Sequence, residues 1–271
     1  GWGSFNDKFR DVLRGDLYDF SKKGFLFGTY RPNESKDDLK TIITGTLLNN
    51  GGIYDTPSKS INFLEVHDNY SFSDFLRIST EKNSTNELIK DKLNHITLTP
   101  QIFKINTLAA IILLTSQGIP LIHQGQEWAH SKIIAPTQKP DPDVGKMDPN
   151  PYNKDNETNW INWEETNQNQ DLINYYIGLI SLRNTYPELR RSSTRDIVFL
   201  DVENEFGLGY MIRNNITIFL NSNPSDILNV KLPPGKWLQV VNSNAVNLNG
   251  LRITEGYVNI QATSGAVFIK K

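Results

Sequence analysis

The sequence predicts a chain in two parts, α/β at the front and all-β at the back, and three observations carry that reading. Up to about residue 190, short apolar runs alternate with helical stretches, the order of parallel strands joined by crossover helices. From Arg195 onward, short β runs punctuated by Pro, Gly and Asn follow one another, as in an antiparallel sandwich. Finally, only about two convincing strands precede residue 190, too few to close a barrel or to cover both faces of a parallel sheet. The front part therefore reads as the tail of something larger.

Phe5 to Arg14 has Phe5, Phe9, Val12 and Leu13 near a helical spacing and stops at Gly15. A second helical stretch, Asp37 to Leu48, ends at Asn49-Asn50-Gly51-Gly52. Ile61 to Val66 is short, mostly apolar and flanked by turn formers, which predicts a buried strand. A polar loop from Thr80 to Pro100 leads into a helix over Ile102 to Gln117, and Gly118 opens a strand over Ile119 to His123. The Pro-, Asp- and Asn-rich segment Ala135 to Asn159 is a long loop, and loops of this length carry function or are disordered. A helix over Asp171 to Thr185 is stopped by Pro187. The β runs are Ile197–Val202, Gly209–Ile212, Ile216–Leu220, Leu228–Leu232, Trp237–Val241, Tyr257–Ile260 and Ala266–Ile269. These place a boundary near Ser192-Ser193, with parts 1–191 and 192–271.

Composition narrows the function classes. Lys plus Arg number 28 against 30 Asp plus Glu, a net charge of -2. Neither nucleic acid nor an anionic membrane surface is an expected partner. There is no Cys, so disulfide scaffolds, thiolate zinc sites and Cys nucleophiles are excluded, although the compartment stays open between secreted, cell-surface and cytoplasmic. The longest apolar run, Leu108 to Leu114, falls far short of the roughly 20 residues that span a bilayer. The chain opens Gly1-Trp2-Gly3 rather than on Met, which suggests a processed or excised piece.

Two clusters carry chemistry. In Glu65-Val66-His67-Asp68-Asn69, polar residues follow an apolar strand, at the end that faces the active site of a βα barrel. His and a carboxylate together suit a sugar: both hydrogen-bond hydroxyls, and the carboxylate stabilises a developing oxocarbenium charge. The same residues fit a strand-ending turn in which Asp68 caps the next helix and His67 is merely exposed. In Ile119 to Trp128 a strand leads through a Gly turn to Glu127, which could bind a hydroxyl, and Trp128, whose indole offers a stacking face. A structural acceptor and a core anchor explain that pair at least as well.

Five segments in order resemble the alpha-amylase superfamily of glycoside hydrolases, specifically its type I pullulanases. They are Trp2 to Gly15, Ile61 to Asn69, Gly118 to Glu127, the loop segments Pro151-Tyr152-Asn153 and Asn159 to Trp163, and Tyr175 to Leu189 with its Leu-Arg-Asn-Thr-Tyr-Pro-Glu-Leu ending. The resemblance implies that residues 1–191 are the last strands and helices of a (β/α)8 barrel and that 192–271 form the β-sandwich behind it. Asp68 matches the family's transition-state-stabilising carboxylate and His67 its hydroxyl-binding neighbour. Asn69, Tyr152 and Asn153 are expected to border the glucan cleft, with Glu127 and Trp128.

The departures bear on activity. Retaining glycosidases need a nucleophilic carboxylate and a general acid roughly 5 Å apart, and no Glu or Asp here stands in a matching context. In the family both lie on earlier strands. The expectation is a piece of an enzyme that cleaves α-1,6 branches of pullulan, amylopectin or glycogen, inactive until joined by its N-terminal half. Other α-glucan linkages, or a non-catalytic carbohydrate-binding or structural fragment, are the alternatives. No cofactor or metal is required on this reading; calcium at Asp141 and Asp143 is conceivable, but these acidic residues are better explained as solvated. Glu65, two residues before His67 on the expected strand, is expected to point to the same side.

Overall fold

The computed structural model describes residues 2–80 and 84–271. Helix α5 (Pro100–Thr115) organises it. Thr99 caps its start, accepting from the Ile102 amide at 3.4 Å, and Pro100 sits in the first turn, where a missing N–H costs nothing. From Ile105 to Thr115 every residue is buried, so this helix needs a neighbour on each side.

In front of it lie β1 (Ser4–Phe5), α1 (Asp7–Arg14), α2 (Lys36–Ile43), β2 (Ser60–Phe63), α3 (Phe72–Thr80) and α4 (Lys92–Ile96); β3 (Ile119–Leu121) follows it. The three strands form one parallel sheet in the order β1-β2-β3, with Ser4 beside Ser60, Ile61 beside Ile119 and Phe63 beside Leu121. Asn6 ties this sheet to the first helix. Its carbonyl oxygen accepts from the Phe9 amide at 3.1 Å as the cap of α1. Its amide nitrogen donates to Thr46 Oγ1 (2.7 Å), Ser60 Oγ (2.8 Å) and Asn62 Oδ1 (3.1 Å), all buried.

Between α5 and β3 the chain turns at Gly118, at φ 118°, where an added Cβ would lie 2.7 Å from the Asn62 amide nitrogen. Helix α6 (Gln170–Thr185) supplies the clamp on this turn. Arg183 donates to the carbonyls of Leu114 (2.8 Å), Ser116 (2.9 Å) and Gly118 (2.7 Å). A guanidinium at a helix C-terminus satisfies orphan carbonyls and opposes the negative end of the dipole.

After α7 (Glu188–Arg191) come β4 (Ile197–Leu200), β5 (Gly207–Ile212), β6 (Ile216–Asn221), β7 (Leu228–Lys231), β8 (Trp237–Val241), β9 (Arg252–Thr254), β10 (Tyr257–Ile260) and β11 (Ser264–Lys270). Six of them make an antiparallel sheet, β4-β5-β6-β11-β8-β9, and β7 pairs with β10 in a two-stranded ribbon. The period of two divides the faces. Ile216, Ile218, Leu220, Val267 and Ile269 join the core around α5, while Phe219, Ala266 and Phe268 join Trp237 and the ribbon on the other side. Gly265 lets β11 approach the helix, since a Cβ there would lie 2.9 Å from Ile111 Cδ1. Thr115 Oγ1 and the Tyr210 hydroxyl, 2.7 Å apart, bond across the same seam.

Several sequence expectations are corrected. The strand expected over Ile61–Val66 pairs only as Ser60–Phe63, and the one over Ile119–His123 only as far as Leu121. Phe5 belongs to a strand rather than to the first helix, which begins at Asp7. The second helix ends at Ile43, short of Leu48. Helix α3 was anticipated only as an unbounded helix after Asp68, and α4 not at all; α4 sits within the expected Thr80–Pro100 loop, of which residues 81–83 lie outside the described residues. Strand β9 escaped notice because it is a three-residue edge strand with exposed Arg252 and Ile253. No helix among the described residues is long and apolar enough to cross a membrane.

Replacing Asn6 with Ala removes a helix cap and the side-chain donor to buried Thr46 and Ser60 hydroxyls, while Asn62 keeps the Ser60 hydroxyl as donor. Asn6→Ala is expected to cost about 3 kcal/mol of stability, read as a lower urea midpoint with unchanged slope.

Candidate functional site

Beyond the parallel strands the backbone is fixed before the candidate residues appear. The Arg14 guanidinium, buried and lying 4.3 Å over the Phe75 ring, donates to the Leu64 carbonyl at 2.7 Å. The register that pairs Phe63 with Leu121 brings Glu65 opposite His123. Glu65 Oε1 lies 3.1 Å from His123 Nδ1, and Oε2 accepts from the Phe72 amide at the start of α3. Glu65 is thus buried while His67 is exposed, and both lie beyond the paired strand, which ends at Phe63.

His67 and Asp68 emerge past this lock. Their side chains are 62% and 54% exposed, with Nε2 and Oδ1 3.4 Å apart. Asn69 follows in the left-handed region, at φ 64°, a conformation that Asn tolerates better than most residues. It turns the chain back so that Tyr70 and Ser71 are buried. Ser71, not Asp68, caps α3: its hydroxyl accepts from the Asp74 amide at 3.1 Å. Asp68 therefore has no structural duty as a cap, and its carboxylate faces solvent beside an imidazole.

A buried polar relay runs from α3 to the long loop. Asp74 Oδ2 accepts from the Lys132 amide at 3.0 Å, the Lys132 carbonyl accepts from the Asp148 amide at 2.8 Å, and Asp148 forms an ion pair with Lys154. Asn159 pins the same turn through the carbonyls of Pro151 (2.6 Å) and Lys154 (2.7 Å). Tyr152 and Asn153 ride on this turn, both exposed, Tyr152 by 58%. The ammonium of Lys132 is held below its ordinary pKa by burial, against the pull of Glu65, Asp74 and Asp148. Burial pushes the Asp74 carboxyl up, but His95 and Arg77 outweigh it and bring it down to about 2. His95 Nε2 lies 3.6 Å from Asp74 Oδ1, at the outer edge of hydrogen-bonding reach.

The Glu127–Trp128 pair is placed differently. Glu127 Oε2 accepts from the Gly125 amide at 3.0 Å, closing its own turn. Trp128 is only 2% exposed, with Trp163 tilted by 43° against it at 5.7 Å and His130 on its edge at 6.5 Å. Its indole is a core anchor, and the stacking face expected of it is covered; among the described residues the exposed indoles are Trp2, Trp160 and Trp163. Asp143 pairs with Lys146, Asp141 accepts from the Asp143 amide, and no group of three potential metal ligands occurs among the described residues. His123, Asp74, Lys132 and Asp148 were missed as supports. For His123 the signal was present, a polar residue directly after an apolar strand, as for His67.

No family model matches the chain. It is 28% identical to a pullulanase of Bacillus subtilis over 203 residues, covering 73% of this chain and 24% of that protein. A glycogen debranching enzyme of Escherichia fergusonii aligns at 25% identity, over 87% of this chain and 36% of its own length. Among solved structures, a pullulanase from Bacillus acidopullulyticus superimposes with a TM-score of 0.79 at 24% identity, over 99% of this chain and 30% of that one. Over most of its length the chain is similar to pullulanase-like proteins of the alpha-amylase family. These pullulanase-like relatives are glycoside hydrolases, and the chain spans roughly a quarter to a third of the lengths of those it matches. A second pullulanase structure, from Paenibacillus barengoltzii in complex with maltohexaose and alpha-cyclodextrin, matches with a TM-score of 0.72 at 25% identity.

Asp74 yields a pH prediction. Its folded pKa is depressed, so its contribution is present above the unfolded carboxylate value and disappears as pH falls through the folded value. Stability is expected to drop by about 2 kcal/mol between about pH 4 and pH 2 on its account, and Asp74→Asn should flatten urea-unfolding stability over that window.

Proposed function

We propose that this chain is the C-terminal part of an α-glucan debranching hydrolase: residues 1–191 contribute the last strands and helices of a (β/α)8 catalytic barrel, and residues 192–271 form the β-sandwich behind it. Asp68 holds hydroxyls of the sugar at the cleavage point and stabilises the oxocarbenium-like transition state. His67 hydrogen-bonds a neighbouring hydroxyl. Asn69, Tyr152, Asn153 and Glu127 border the glucan, while Trp128 acts from below by supporting Trp163.

The observation that carries this reading is the pair His67–Asp68, exposed just past the C-terminal ends of parallel strands whose ends are locked by Glu65 and His123. A loop end on rigid parallel strands is where βα-barrel enzymes keep their reacting groups. The malto-oligosaccharides bound in related pullulanase structures support an α-glucan substrate.

In a retaining cycle a carboxylate displaces the glycosidic oxygen while an acid protonates it, and water then releases the sugar. Among the described residues neither group stands in a suitable setting. We assign both to the region upstream of Gly1, together with the strands that complete the barrel, and the linkage cleaved to α-1,6 branches.

The test is release of reducing sugar from pullulan by the chain alone and by the chain mixed with its upstream region. Activity is expected only in the mixture, and Asp68→Asn should lower it by at least about 10³-fold, the scale of losing a group that stabilises developing charge. Hydrolysis by the chain alone, or an Asp68→Asn mixture as fast as the original, overturns the assignment.

A further inference from the structure

We propose that the groove beside Trp160 is an accessory α-glucan-binding site, separate from the strand-end cluster around Asp68. The inference rests on the α-glucan reading above and adds to it a second place where the polymer is held.

The groove has a volume of about 540 Å³, and none of Glu65, His67, Asp68, His123, Tyr152 and Asn153 lines it. Its apolar lining includes Ile133 and Ile134, and Trp160, 57% exposed, offers its indole to the opening. The Trp160 amide donates to the Asn156 carbonyl at 3.1 Å, which fixes the backbone that carries the ring. An exposed indole held on an ordered turn is apolar area that burial against a ligand would stabilise.

The polar groups around it are placed for hydroxyls. Lys92 Nζ lies 2.8 Å from Glu165 Oε1, and the other oxygen of Glu165 lies 2.7 Å from His130 Nδ1. Glu165 is fully buried, so this pair anchors an ammonium whose side chain stays 29% exposed and keeps N–H groups for a ligand. Burial pushes the Glu165 carboxyl up, but His130 and Lys92 more than offset it and hold it ionised below its usual range. Asn162 spends its carbonyl oxygen on the Glu164 amide at 3.1 Å, which leaves its NH₂ as a donor. Glu157 adds an exposed acceptor.

The balance of charge selects the ligand class. Lys92 is neutralised by Glu165, and Glu157 adds a negative charge, so the groove does not favour phosphates or an anionic lipid surface. A neutral ring with one apolar C–H face and a rim of hydroxyls fits an indole flanked by an ammonium, an amide and a carboxylate. A glucosyl unit of an α-glucan is such a ring.

The experiment is calorimetric titration of the 271-residue chain with maltoheptaose and with alpha-cyclodextrin. Binding is expected for the original chain and for Asp68→Asn alike. Trp160→Ala should weaken it by about tenfold or more, whereas Trp160→Phe, which keeps a stacking ring, should retain most of it. Thermal melts of each variant separate lost binding from lost folding, and Trp160 is exposed enough that both variants should melt as the original does. No binding by the original chain, or equal binding by Trp160→Ala, overturns the proposal. If binding follows Trp160 while the pullulan assay fails, the groove stands and the hydrolase reading falls. If pullulan is cleaved while Trp160→Ala binds as the original does, the hydrolase reading stands and the groove falls.

Discussion

Helix α5 has no solvent face over most of its length, and the rest of the structure follows from covering it. Ile105 to Thr115 is buried all round, so packing on one side alone would leave apolar surface in water at about 25 cal/mol for each Å². Helix α3 and the segment around Phe25 cover one side, α6 another, and β11 of the antiparallel sheet a third. One hydrophobic core therefore runs from Phe9 to Ile269, across the change from parallel to antiparallel strands. Contacts such as Thr115 with Tyr210 and Gly265 with Ile111 are what that shared core requires at its seam.

Rigidity at the candidate site descends from the same constraint. The C-terminal clamp of Arg183 on α5 fixes the turn into β3, and β3 carries His123 to Glu65. Arg14 on α1 holds the end of β2 at Leu64, and Asn6 binds α1 to that strand. His67 and Asp68 thus project from a backbone that is held from three directions, while their own side chains stay free for a ligand. Charge follows the same division. Buried carboxylates such as Asp74 and Glu165 have basic partners, and Asp68, which faces solvent, has only a histidine.

Much of this was legible in the sequence. Continuous apolarity from Leu108 to Leu114, Gly118 after it, and the short β run Ile216–Leu220 were each visible locally, and the local fold obeys them. Strand lengths were not legible, because Leu64 and Val66 are apolar enough to continue a strand and only the distant Arg14 and Phe72 reveal that it stops. The start of helix α3 was hidden for a related reason: it depends on Asn69 adopting φ 64° and on Ser71 rather than Asp68 acting as cap. Trp128 is the core anchor that its sequence allowed, but a Trp after a Gly turn gives no sign of which face is covered; Trp163, thirty-five residues later, packs against it. The relay from Asp74 through Lys132 to Asp148 joins residues whose order in the chain carries no spacing signal.

On the proposal above, the three parallel strands are part of a sheet that further strands complete. Exposed Phe5 and Ile119, on the outer strands of the sheet, are consistent with edges that another chain segment would cover. Amide hydrogen exchange at Ser4–Phe5 and Ile119–Leu121, with and without the upstream region, tests this most directly. Exchange at both edges is expected to slow markedly in the mixture while the amides of α5 are unchanged. Equal exchange at the two edges, with and without the upstream region, would contradict it.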